Sequence, residues 1–94
     1  MTMAEHIVTR VTAAEGEHQN WEDVHNSYLN ARAECGITDG PSYKDTSDPN
    51  SALVHLVVED MNRGMGWFKD PRFAEANPKA KLVGDRQLFF AKQR

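Results

Sequence analysis

Cysteine is almost missing from this chain. Cys35 stands alone among 94 residues, which excludes an internal disulfide and a cysteine zinc cluster and fits a reducing compartment. The spacings HxH, HExxH and CxxC do not occur, and neither do GxSxG, a P-loop or a dinucleotide-binding glycine fingerprint, so the catalytic classes they announce are set aside. No apolar run is long enough to cross a bilayer, and the N-terminal residues lack the basic-then-apolar order of a secretion signal, so the expected location is the cytoplasm. Basic residues are outnumbered, 11 Lys and Arg against 14 Asp and Glu, and they are scattered. A scattered minority leaves no footprint for nucleic acid or an anionic membrane, and neither partner is expected. Repeats and low-complexity tracts are missing too.

What is present is organised around Ala52 to Ala80. Ala52 to Val58 is almost continuously apolar and rich in β-branched residues, which predicts a strand covered on both faces. Asp60 then offers an N-cap, and Met61, Met65 and Phe68 recur along one helix face. Asp70-Pro71 stops that helix and starts another, because Asp caps well and Pro fits the first helical position. Pro78 closes the helical region.

Before this stretch, Glu5 to Thr12 alternates with period two, Ile7, Thr9 and Val11 on one face and His6, Val8 and Arg10 on the other. Gly16 marks a loop. Asn20 is placed to cap a helix in which Trp21, Val24, Tyr28, Ala31 and Cys35 form the buried stripe, ended by Gly36 in a left-handed cap. Ile37 to Thr46 is interrupted by Gly40-Pro41 and reads as a bent or edge strand carrying Tyr43. Asp48-Pro49-Asn50 is a tight turn. After the helices, Leu82 to Lys92 forms the last strand, and Gln93-Arg94 is expected to fray.

The order β-α-β-β-α-β predicts an α+β, ferredoxin-like domain over residues 1–94, with a four-stranded antiparallel sheet whose first and third strands are central. A chain of this length buries only about 60 to 65% of its unfolded surface. One sheet face would have no cover within the chain, so a homodimer is expected.

Several side chains carry possible chemistry. Trp67 beside the Met61, Met65, Phe68 stripe is either core packing or, with Phe68, the wall of a flat pocket; Gly64 and Gly66 within one turn suggest a close backbone approach or an irregular helix. His55, on an otherwise apolar strand, is either a core histidine held by one hydrogen bond or a general base. Arg86 shares a face with Leu88 and Phe90 and would hold a phenolate or carboxylate if that face meets the helices; otherwise it is a surface charge. His25 and Tyr28 sit at the edge of the first helix's buried stripe, as pocket-rim contacts or as boundary residues with wet tips. Tyr43 is a further candidate contact. His25 or His55 would be the haem ligand if one bound, but four histidines without paired spacing give little ground for it. No metal site is expected.

Trp21 near the start of the first helix, Gly36 after it, Asp48-Pro49-Asn50 between strands, and Glu59-Asp60 followed by Trp67-Phe68 and Asp70-Pro71-Arg72-Phe73 together resemble the dimeric α+β barrel superfamily, and within it the antibiotic biosynthesis monooxygenases. The resemblance implies a homodimer and a pocket for an aromatic or polyketide-like molecule, with no exogenous cofactor. It also implies that Asn62, Trp67 and Arg86 approach the substrate. The expected enzyme is a cofactor-independent monooxygenase in which His55 generates a substrate anion, Asn62 and Arg86 stabilise it, and Trp67 and Phe68 enclose the ring. The alternatives are a polyketide cyclase or a homodimer of the same fold that binds a ligand, or merely assembles, without catalysis.

Overall fold

The computed structural model describes residues 5–92, so the expected fraying of Gln93-Arg94 falls outside it. Four strands, β1 (Glu5–Thr12), β2 (Ile37–Lys44), β3 (Ser51–Val58) and β4 (Gln87–Lys92), form one antiparallel sheet in the order β2-β3-β1-β4. Helices α1 (His18–Ser27) and α2 (Leu29–Glu34) connect β1 to β2, and α3 (Met61–Phe68) and α4 (Pro71–Ala80) connect β3 to β4. This is the ferredoxin-like α+β arrangement, with β1 and β3 central.

Alternation along the central strands sets the core. Ile7, Thr9 and Val11 of β1 and Ala52, Val54, Leu56 and Val58 of β3 are buried beneath the helices with Trp21, Ile37 and Trp67. The other face of β3 differs from the expectation: Leu53, His55 and Val57 are only half-buried, because no element among the described residues lies over them. On β4, Phe89 pairs with Val8 on this open face and is 57% exposed.

Two caps form as their sequences predict. The Asp60 carboxylate accepts the Asn62 N–H at 2.8 Å, and Asp70 accepts the Arg72 N–H at 2.8 Å with Pro71 in the first turn. Gly64 lets α3 lie directly on β3, since a Cβ there would collide with Val58 Cγ1.

Four boundaries differ. The first helix starts at His18, with Glu17 at the cap position and no side-chain cap; the Asn20 amide instead donates to the Lys79 carbonyl at 2.8 Å, tying α1 to the end of α4. The same helix breaks at Tyr28. Ser27 Oγ donates to the Val24 carbonyl at 2.6 Å and Arg32 Nη1 to the His25 carbonyl at 2.7 Å, so two side chains occupy carbonyls that a continuous helix would use. The last strand starts at Gln87 rather than Leu82: Leu82 makes a lone bridge to Ala13, and Gly84, at φ 70°, turns the chain between them. Pro78 lies inside α4, which runs on to Ala80.

Candidate functional site

Between the helices and the covered sheet face lies a half-open cavity of about 60 Å³. Its floor is the sheet, with Thr9, Val11, Val54 and Leu56. Its walls are aromatic. Trp67 is buried at the centre, its ring 6.1 Å from that of Tyr28 and 5.8 Å edge-on from that of Phe73, while Phe68 meets Phe73 edge-on at 5.1 Å. Trp67 reaches this position because α3 is capped by Asp60 and pressed onto β3 at Gly64.

Polar groups enter the cavity from three directions. Arg86, on the turn before β4, stacks its guanidinium 4.8 Å from the Phe73 ring centre and donates to Asn77 Oδ1 at 3.1 Å. Among the described residues it has no acidic partner, and burial alone lowers its pKa. The cation is held by a ring and one amide oxygen, which leaves donors for an anion. Thr9 is 4% exposed, and its hydroxyl has no hydrogen-bond partner among the described residues.

The third group is His25, stacked on Trp21 at 5.3 Å with 21° between the rings. Its Nε2 lies 3.6 Å from Asp39 Oδ2 on β2. Asp39 accepts Arg32 Nε at 2.9 Å and Arg32 Nη2 at 2.8 Å, a two-pronged pair in which the Arg32 side chain is 3% exposed. Burial pushes the Asp39 carboxyl upward, but the His25 ring that faces it and the bonds and charge of Arg32 outweigh this and bring the pKa down to about 2.

Of the residues singled out in the sequence, Trp67, Phe68, His25, Tyr28 and Arg86 line this cavity together. His55, Asn62 and Tyr43 do not. His55 points to the open face, where its Nε2 meets His6 Nδ1 at 2.8 Å. Its apolar sequence neighbours could not separate the two faces, and it is not placed to act as a base in the cavity. Asn62 is exposed in the first turn of α3, and Tyr43 is 57% exposed on β2. Thr9, Asn77, Phe73 and the Arg32–Asp39 pair were not singled out. For Thr9 the signal was there: a lone hydroxyl on the buried side of β1, between Ile7 and Val11.

Among the described residues no group of three or more His, Cys, Asp or Glu side chains could hold a metal ion, and no helix is long and apolar enough to cross a membrane. Cys35 is a half-buried free thiol packed against the core.

No protein-family profile and no curated protein matches the sequence. Solved structures do. A protein provisionally named an antibiotic biosynthesis monooxygenase from Bordetella bronchiseptica superposes with a TM-score of 0.85 at 9% identity, over 99% of each chain. One of the same description from Caulobacter crescentus gives 0.77 at 11% identity, over 98% of this chain and 91% of that one. SnoaB, a cofactor-independent oxygenase from Streptomyces nogalater in a mutant form, gives 0.72 at 19% identity, over 99% of this chain and 97% of that one. The chain therefore has the ferredoxin-like α+β fold of the antibiotic biosynthesis monooxygenase-like proteins.

Proposed function

We propose that this protein is a cytoplasmic homodimer, with one ferredoxin-like domain per protomer, that binds a small aromatic or enolic molecule in the helix-side cavity and oxidises it with dioxygen, needing no cofactor. The observation that carries the reading is Arg86, a buried cation without a carboxylate partner among the described residues, set in an aromatic wall. A ring carrying an acidic oxygen answers both features: Trp67, Phe68 and Phe73 enclose its faces and edge, and Arg86 holds the oxygen as an anion. The naming of similarly folded proteins supports the reaction class.

In this reading, loss of the acidic proton gives an electron-rich phenolate or enolate that Arg86 stabilises. The anion passes an electron to dioxygen, the two radicals join at the ring carbon para to the oxygen, and the adduct loses water. The balance is one phenol plus one dioxygen to one quinone plus one water, with all four electrons taken up by dioxygen. Size narrows the substrate. A closed apolar cavity that admits benzene measures about 150 Å³, against about 60 Å³ here, so the enclosed part of the ligand is the edge of one ring and the remainder projects through the open side.

The dimer is supported by the open sheet face, where Leu53, Val57 and Phe89 have no cover among the described residues. His6, His55 and Tyr43 then belong to the interface region rather than to catalysis. A second reading, ligand binding without turnover, is favoured by Asn62, which lies outside the cavity although the expected oxyanion site includes it. Oxygen-electrode measurements with one-ring and two-ring phenols distinguish the two. Uptake that ceases in Arg86→Met supports the oxygenase, and saturable binding without uptake supports the second reading. Failure of every phenol to bind removes both.

A further inference from the structure

We propose that His25 is the acid–base residue of this cavity, with Asp39 and Arg32 as the residues that position its ring. The proposal rests on the cavity being a ligand site and names the group that removes the ligand's proton, a role His55 is not placed to fill.

Three fixed points define the arrangement. Arg32 grips both oxygens of Asp39 at 2.9 and 2.8 Å, and with its remaining nitrogen it takes the backbone carbonyl of His25 at 2.7 Å. One guanidinium thus sets both the histidine's backbone and the carboxylate its ring faces. A buried ion pair of this kind adds little stability over an apolar pair of equal volume, so its consequence here is placement. Stacking on Trp21 fixes the plane of the ring.

The electrostatics then choose the tautomer. An ionised carboxylate can only accept, so the nitrogen that faces it, Nε2, carries the proton. The lone pair is left on Nδ1, which has no hydrogen-bond partner among the described residues. At 3.6 Å the Nε2 to Oδ2 contact is longer than a hydrogen bond. It closes when the ring becomes cationic, because charge strengthens the attraction to Asp39.

The step balances within the site. A bound phenol, or a carbon acid next to a carbonyl, gives its proton to Nδ1. The electron pair stays on the ligand oxygen or carbon, and the new anion faces Arg86 while the new imidazolium faces Asp39. No oxidant or second reactant enters this step, and its reversal returns the proton. The charged groups that face the ring or share its cavity are Asp39 on β2, Arg32 on α2 and Arg86 on the turn before β4.

Two measurements test this. The first is the ¹⁵N spectrum of the histidine rings, assigned through His25→Gln. The Nε2–H form for neutral His25, lost in Asp39→Asn, supports the proposal; an Nδ1–H form overturns it. The second uses 4-nitrophenol, whose anion is yellow, at a pH where the free phenol is protonated. Wild-type protein should bind it as the anion. His25→Gln should bind it yet lower the ionised fraction by at least about tenfold, one pKa unit. Equal ionisation in His25→Gln overturns the assignment of the base while leaving the cavity reading intact. Absence of saturable binding to wild-type protein overturns the cavity reading itself.

Discussion

On the helix side of the sheet, Arg32 grips Asp39 with its own side chain 3% exposed; on the open side, Arg10 grips Asp45 at 3.0 Å with side chains 35% and 19% exposed. The histidines divide in the same way. His25 is stacked on Trp21 and aimed at a carboxylate, while the His55 ring is bonded to His6. In the His6–His55 contact one ring nitrogen donates and the other accepts. Similar residues thus make a histidine held against a carboxylate on one face and a mutual contact on the other. Enclosure of the arginine makes the difference, since the helices take water away from Arg32 and leave it near Arg10.

Removing one carboxylate from each face should break that contrast open. Asp39→Ala leaves the Arg32 charge buried and unpaired and is expected to cost about 3 to 5 kcal/mol of folding stability in urea titrations. Asp45→Ala should change the same midpoint far less, because water reaches Arg10. Equal effects would mean that the helix side is as wet as the open side.

The open face should matter to association rather than to folding. Val57→Lys places a charge where the second copy is proposed to pack. It should raise the dimer dissociation constant at least about a hundredfold, close to 3 kcal/mol, and leave a folded monomer in sedimentation velocity. A variant that still sediments as a dimer would move the interface elsewhere.

Acid gives a smaller effect with a defined sign. Asp39 is lowered from 3.8 to about 2, so between those values the unfolded chain binds more protons than the folded one. The stability this group contributes is complete above its unfolded pKa and is lost as pH falls through about 2. In Asp39→Asn that part of the acid limb should flatten.

The smallest expected change has the opposite direction. Thr9→Val removes a buried hydroxyl with no partner among the described residues and should stabilise the protein by about 1 kcal/mol. Affinity for a phenol should fall if the hydroxyl serves the ligand. A loss of stability would show that the hydroxyl is satisfied by water.

The sheet order and the buried side of β1 were readable because period-two alternation needs only neighbours in sequence. Trp67 and Arg86 could be singled out for related reasons, one from a helical stripe and the other from its parity with Leu88. His55 could not be assigned to a face, because both faces of β3 are apolar and only the helices decide between them. The break at Tyr28 was hidden because side chains of Ser27 and Arg32 compete for carbonyls, and no spacing rule records that. The pairing of Arg32 and Asp39, and the approach of His25, depend on β2 folding back beside the first helices.

The irregularity in β2 reaches further than its size suggests. Asp39 pairs with Leu56 and Ser42 with Val54, with the register shift between them. Residues three apart, an odd number, therefore look the same way, which a regular strand forbids. Trimming one residue at Gly40-Pro41 would leave the two positions two apart, a regular strand in which both keep the face they have now. The extra residue therefore sets the bend of β2 beside His25 and not the side that the carboxylate faces. A deletion at Gly40 or Pro41 should straighten β2 and shift the carboxylate along its own face, moving it relative to the His25 ring without turning it away.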